Sequence, residues 1–142
     1  MHTEHLQNVR AVWVAAGWLV SVAVASLVLV VLTSVGLTGQ DPGTDSLWAV
    51  IAVAVGFWLG GFFTGFRAIE APILHGIAIG LASLPAWFLL NLLIDQVLGL
   101  APWSALSPPA TAALLLVQLM AAVAGAWVGH RVALRGGVEL SE

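Results

Sequence analysis

The chain has 142 residues, of which 61% are hydrophobic and 8% charged, with a net charge of −3 and no cysteine. A soluble domain of this size carries about a quarter charged residues to hydrate its surface, so the composition excludes a water-facing globule and leaves lipid as the solvent. Disulfides, thiolate metal sites and cysteine nucleophiles are excluded outright, and the absence of any Lys/Arg run speaks against nucleic acid as a partner.

Four apolar runs follow one another, predicting an all-α bundle of four transmembrane helices in a single integral membrane domain spanning residues 1–142. The runs cover about 11–37, 47–66, 73–100 and 109–132, each long enough for the ~20 residues that cross the hydrocarbon core. They are apolar all round and do not alternate, which is the pattern of helices and not of barrel strands. The first run has about twice the apolar length of a signal-peptide core and no small-residue cleavage site, so it reads as a permanent helix.

The four basic residues are Arg10, Arg67, Arg131 and Arg135. Arg10 precedes the first run, Arg67 follows the second and the last two follow the fourth, while the first and third connections carry none. The positive-inside rule then places both termini in the cytoplasm, as a multi-pass protein of the cell inner (plasma) membrane. Arginine without lysine, beside abundant Ala, Val, Leu and Gly, suits a GC-rich bacterial genome. Of the seven Trp, Trp48 and Trp103 are expected at the outer interface and Trp13 and Trp127 at the inner one, where the indole finds both apolar and wet neighbours. Trp58 and Trp87 fall nearer mid-membrane.

The second and fourth runs end alike. Gly61, Gly65 and Arg67 in GGFFTGFRA match Gly125, Gly129 and Arg131 in AGAWVGHRV. A shared G-x-x-x-G-x-R ending suggests two parallel-repeat helical hairpins about an axis along the membrane normal, although the first and third runs align poorly. Small residues every fourth position let helix backbones approach in lipid, where apolar burial alone gives little drive to associate. Gly56, Gly60 and Thr64, with Gly61 and Gly65 beside them, mark the second run. Gly76 and Gly80 mark the third, Ala121, Gly125 and Gly129 the fourth, and Gly17, Ser21 and Ala25 the first. Internal packing accounts for these stripes, and a homo-oligomer interface is the competing account.

The segment Gly60 to Gly80, GGFFTGFRAIEAPILHGIAIG, resembles the signature of small uncharacterised four-helix prokaryotic membrane proteins, in which a Gly-Gly-x-x-x-Gly-x-Arg helix end precedes a Leu-His-Gly start. The matching positions are Gly60, Gly61, Gly65, Arg67, Leu74, His75 and Gly76. The resemblance implies a four-pass fold and brings no activity with it.

Polar groups inside the spans are where function would show. Asn91 and Asp95 share a face of the third run, and Gln118 of the fourth is expected at a comparable or slightly deeper level, a possible ion or proton site. In the competing account the two amides cross-link helices and Asp95 reaches outer water. A second group, Arg67, Glu70, His75, His130 and Arg131, gathers at the cytoplasmic mouth. There Arg67 and Glu70 can pair, and the arginines can serve the carbonyl ends of the second and fourth helices. His75 and His130 raise haem ligation as a further alternative. Pro85 predicts a kink in the third helix. No H-E-x-x-H, G-x-S-x-G or Walker A motif occurs, so no catalytic residue, metal site or cofactor is assigned and the chain is not expected to be an enzyme. Three readings remain: a structural or accessory bundle within a larger membrane complex, a small transporter or channel using Asn91, Asp95 and Gln118, and a haem-carrying electron-transfer subunit.

Overall fold

A computed structural model describes residues 9–39, 41–68, 71–99 and 108–139. Within them the chain forms four helices and no strand: α1 (Ala11–Ser34), α2 (Pro42–Arg67), α3 (Pro72–Leu98) and α4 (Pro108–Glu139). All four are long and apolar enough to cross a membrane. With no water in the hydrocarbon, a spanning segment must satisfy its backbone internally, which the helix provides. The outer surface is correspondingly oily, with Val12, Leu27, Val97, Leu116 and Met120 each more than 60% exposed. In water such a surface would drive aggregation; in acyl chains it is the solvated face. The chain is a multi-pass membrane protein.

The helix ends follow local chemistry more closely than hydropathy. The first apolar run reads on to Leu37, but α1 stops at Ser34 because Gly36 turns left-handed at φ 75°. Gly36 N–H then bonds Thr33 O at 3.1 Å and Leu37 N–H bonds Leu32 O at 3.0 Å, closing the helix in a Schellman motif. The second helix begins five residues before the apolar run, at Pro42, because Asp41 caps it: its Oδ1 accepts from Gly43 N at 3.0 Å and Thr44 N at 2.9 Å. The fourth continues past Val132 to Glu139. α3 runs unbroken through Pro85.

Small residues decide which helices touch. α2 is gripped on two faces. On one, Gly56, Gly60 and Thr64 meet Gly17, Ser21 and Ala25 of α1; a Cβ on Gly56 would stand 2.5 Å from Ser21 O and 2.8 Å from Ala25 Cβ, so only hydrogen fits. On the other, Gly61 and Gly65 press on the Ala122 and Ala126 backbone of α4. Gly125 and Gly129 of α4 reciprocate against the Trp58 and Phe62 backbone of α2. α2 and α4 run parallel and form the most extensive contact in the bundle. α3 joins it through Gly76 and Gly80, packed on Val123 and Leu119 of α4. Every glycine stripe marked in the sequence is thus consumed by contacts within the chain.

Buried hydroxyls are settled locally. Ser21 Oγ donates to Gly17 O at 2.8 Å and Thr64 Oγ1 to Gly60 O at 3.0 Å, each bonding back one turn. Thr64 Oγ1 also lies 3.3 Å from Trp13 O, which ties α2 to α1. Phe57, Ile79 and Ala122 form the innermost apolar contact, with Trp18, Val14 and Val53 around them.

Candidate functional site

The register of α3 against α4 sorts the intramembrane polar residues. Gly76 packs on Val123 and Gly80 on Leu119, an antiparallel pairing. Gln118 therefore stands opposite position 81, whereas Asn91 stands near the start of α4. At ~1.5 Å per residue the two amides are separated by roughly 15 Å along the axis, and Asp95 lies farther still. The structure does not assemble Asn91, Asp95 and Gln118 into one cluster. Asn91 is buried and donates from Nδ2 to its own helix, at Trp87 O, 2.8 Å away. Asp95 is half-buried in the last turn of α3, whose end is closed by left-handed Gly99.

Gln118 has a different neighbourhood. It shares a cavity wall with Ser83 and Trp87 of α3 and Trp18 of α1. Trp18 Nε1 donates to Ser83 Oγ at 3.2 Å, across 65 residues of sequence. Gln118 Oε1 is buried and has no hydrogen-bond partner among the described residues. Neither Trp18 nor Ser83 stands out in the sequence: an indole and a serine in apolar runs carry no spacing signal, and only the α1–α3 crossing pairs them.

At the arginine-bearing end of the bundle His75 is fully buried. Its Nε2 accepts from the Arg10 backbone N–H at 3.1 Å, which puts the ring hydrogen on Nδ1, 2.9 Å from Ala71 O. The imidazole is therefore neutral and fully used, fastening the start of α1 to the first turn of α3. Ala71 itself holds a left-handed φ of 49°, a strained position for a residue with a Cβ. His130 is half-buried, its Nδ1 enclosed without a partner among the described residues. By the same register it sits six residues, about 9 Å, beyond the level of His75. With both His75 nitrogens bonded, the two histidines do not offer the paired free nitrogens that axial haem ligation requires.

Arg67 occupies the last turn of α2, where its charge complements the carbonyl end. Arg131 does not repeat that role, because α4 continues two turns past it. Its guanidinium instead lies 3.9 Å above the Trp127 ring. The proposed Arg67–Glu70 pair, with Glu70, lies outside the described residues, as does Trp103. Among family models, curated proteins and solved structures, none matches this chain.

Proposed function

We propose that the chain is a structural or accessory bundle of a bacterial inner (plasma) membrane, built to join a larger membrane complex, with both termini cytoplasmic. One observation carries this reading: the small-residue faces of the bundle are spent on its own packing, while a broad apolar exterior remains for lipid or partner helices. A transporter needs a polar path, and the amides and carboxylate that would line one are spread over separate levels. Kinship with small four-helix prokaryotic membrane proteins, from the Gly60–Gly80 segment, belongs to the same proposal.

We also read the two hairpins as copies of one unit. Matching Gly61 to Gly125 and Gly65 to Gly129 makes the Gly61–Ala122 and Trp58–Gly125 contacts equivalent, and likewise Gly65–Ala126 and Phe62–Gly129. Contacts that exchange in this way are what a two-fold axis along the membrane normal would generate, and they support the repeat.

The accessory reading predicts two results. In a mild-detergent extract of native membranes, native electrophoresis should find the chain in assemblies well above its own 14.8 kDa. Proteoliposomes holding the purified chain should pass protons and monovalent cations no faster than empty vesicles, with or without Asp95→Asn. Migration as a lone chain together with an Asp95-dependent flux would overturn the accessory reading in favour of the transporter.

A further inference from the structure

α4 carries a cationic face that turns away from the bundle. Its contacts with α2 and α3, at Leu119, Ala122, Val123, Gly125, Ala126 and Gly129, occupy one side of the helix. At ~3.6 residues per turn, Trp127, Arg131 and Arg135 fall on the other side, one above the next. Trp127 is 44% exposed, and both arginines are exposed. Among the described residues, neither guanidinium meets a carboxylate or any other hydrogen-bond acceptor. Spacing along α4 would let Glu139, its last residue, reach Arg135 but not Arg131, which is about 12 Å away along the axis.

The helix ends give the depth of this face. α2 stops at Arg67, and the Phe66 backbone lies beside Gly129, so Arg67 and Arg131 close their apolar stretches at nearly one level. A headgroup layer is roughly 5–8 Å thick on each side, the difference between a hydrocarbon core of ~30 Å and a whole bilayer of ~40–45 Å. Arg131 and Arg135 are about 6 Å apart along the axis, so both fit within that layer, on the side that faces lipid. The acceptors found there are phosphodiester oxygens. The Arg131 guanidinium lies 3.9 Å above the Trp127 ring, a contact that steadies the cation while its N–H donors remain unspent. A planar guanidinium suits the two oxygens of a phosphate. Choline or ethanolamine brings its own cation to that phosphate, whereas an anionic lipid leaves it uncompensated.

We propose that the Trp127–Arg131–Arg135 face of α4 binds an anionic phospholipid, its phosphodiester on Arg131 with Arg135 beside it and an acyl chain along Trp127. The site requires that α4 span a membrane, but neither the orientation of the chain nor its accessory role. Loss of one reading leaves the other standing, because partner assembly is read by electrophoresis and the lipid by the mass of the complex.

The test is native mass spectrometry of the purified chain in mild detergent, titrated with phosphatidylglycerol or with phosphatidylcholine of the same acyl chains. Phosphatidylglycerol should bind one to one at about tenfold lower concentration, the discrimination of roughly one charge-assisted bond. Arg131→Gln should abolish that preference and Arg135→Gln should weaken it severalfold. Arg131→Lys, which keeps the charge and loses the fork, should retain only part of it. Arg10→Gln and Arg67→Gln remove the same charge elsewhere at this end of the bundle and should leave the preference intact. Millimolar inorganic phosphate should not displace the lipid. Equal binding of the two lipids by the natural chain would overturn the proposal. A preference that falls alike on loss of any of the four arginines would overturn it too, by reporting net charge and no site. Displacement by inorganic phosphate would do the same, by making a free anion the ligand. If Arg131→Gln fails to fold, the lipid comparison in the natural chain and Arg135→Gln still decide.

Discussion

Single residues at the helix ends set where each span begins. The hydroxyl and backbone N–H of Thr44, followed by the Gly43 N–H, hold the Asp41 carboxyl below its ordinary value. These donors bond the charged form, and the positive end of α2 favours it further. A carboxyl depressed in the folded state contributes above its unfolded pKa and loses that contribution as pH falls through the folded one. The first turn of α2 should therefore stay protected at neutral pH and fray only when acid drops below the normal carboxylate range. Amide exchange at Gly43 and Thr44 measures this, and Asp41→Asn, which keeps an acceptor but no charge, should flatten the pH dependence while retaining partial protection. His75 makes the opposite use of a titratable group, with both nitrogens committed to holding α1 and α3 together in the neutral ring.

At the scale of elements, the seam between α2 and α4 is the part least able to change. A Cβ at Gly61 would run into Ala122, and one at Gly125 into Trp58. Gly61→Val and Gly125→Val should each lower stability by about 2 kcal/mol or more, since backbone cannot yield as a side chain can. The double variant should cost less than the sum, because either substitution already parts the same seam. Gly136 has open space around it, so Gly136→Ala should be neutral or stabilising by up to about 1 kcal/mol. Thermal unfolding in one detergent compares all four.

The small-residue stripes behind this seam could be read from the sequence, but their partners could not. A stripe declares that a face approaches something closely, and gives no word on which of three helices answers. The four spans were legible because backbone groups in hydrocarbon have no other arrangement, whereas the early start of α2 was hidden from hydropathy in the Asp41–Pro42 pair. Depth was the harder matter. Asn91 and Asp95 share a face by spacing alone, but the level of Gln118 depends on how α3 and α4 slide past each other, which Gly76 and Gly80 fix and loop length does not. The Trp18–Ser83 bond belongs to the same class of fact, created by a crossing and invisible along the chain.

For the molecule as a whole, the proposed orientation puts both ends and the arginine-bearing side of the four spans in the cytoplasm, on the strength of charge bias. Fluorescent protein fused to either terminus should fluoresce, and alkaline phosphatase inserted at Gly39 should be active; the reverse pattern would invert the molecule. The parallel α2–α4 seam also bears on how the protein is made. When the first hairpin leaves the translocon, the groove at Gly61 and Gly65 has no occupant until Ala126 has been translated. That is about 60 residues later, or roughly 3–12 seconds of synthesis at ~5–20 residues per second. For those seconds the nascent hairpin carries an adhesive edge that the same edge of a neighbouring nascent chain can match, so crowded synthesis should yield entangled dimers that slow translation or low expression avoids.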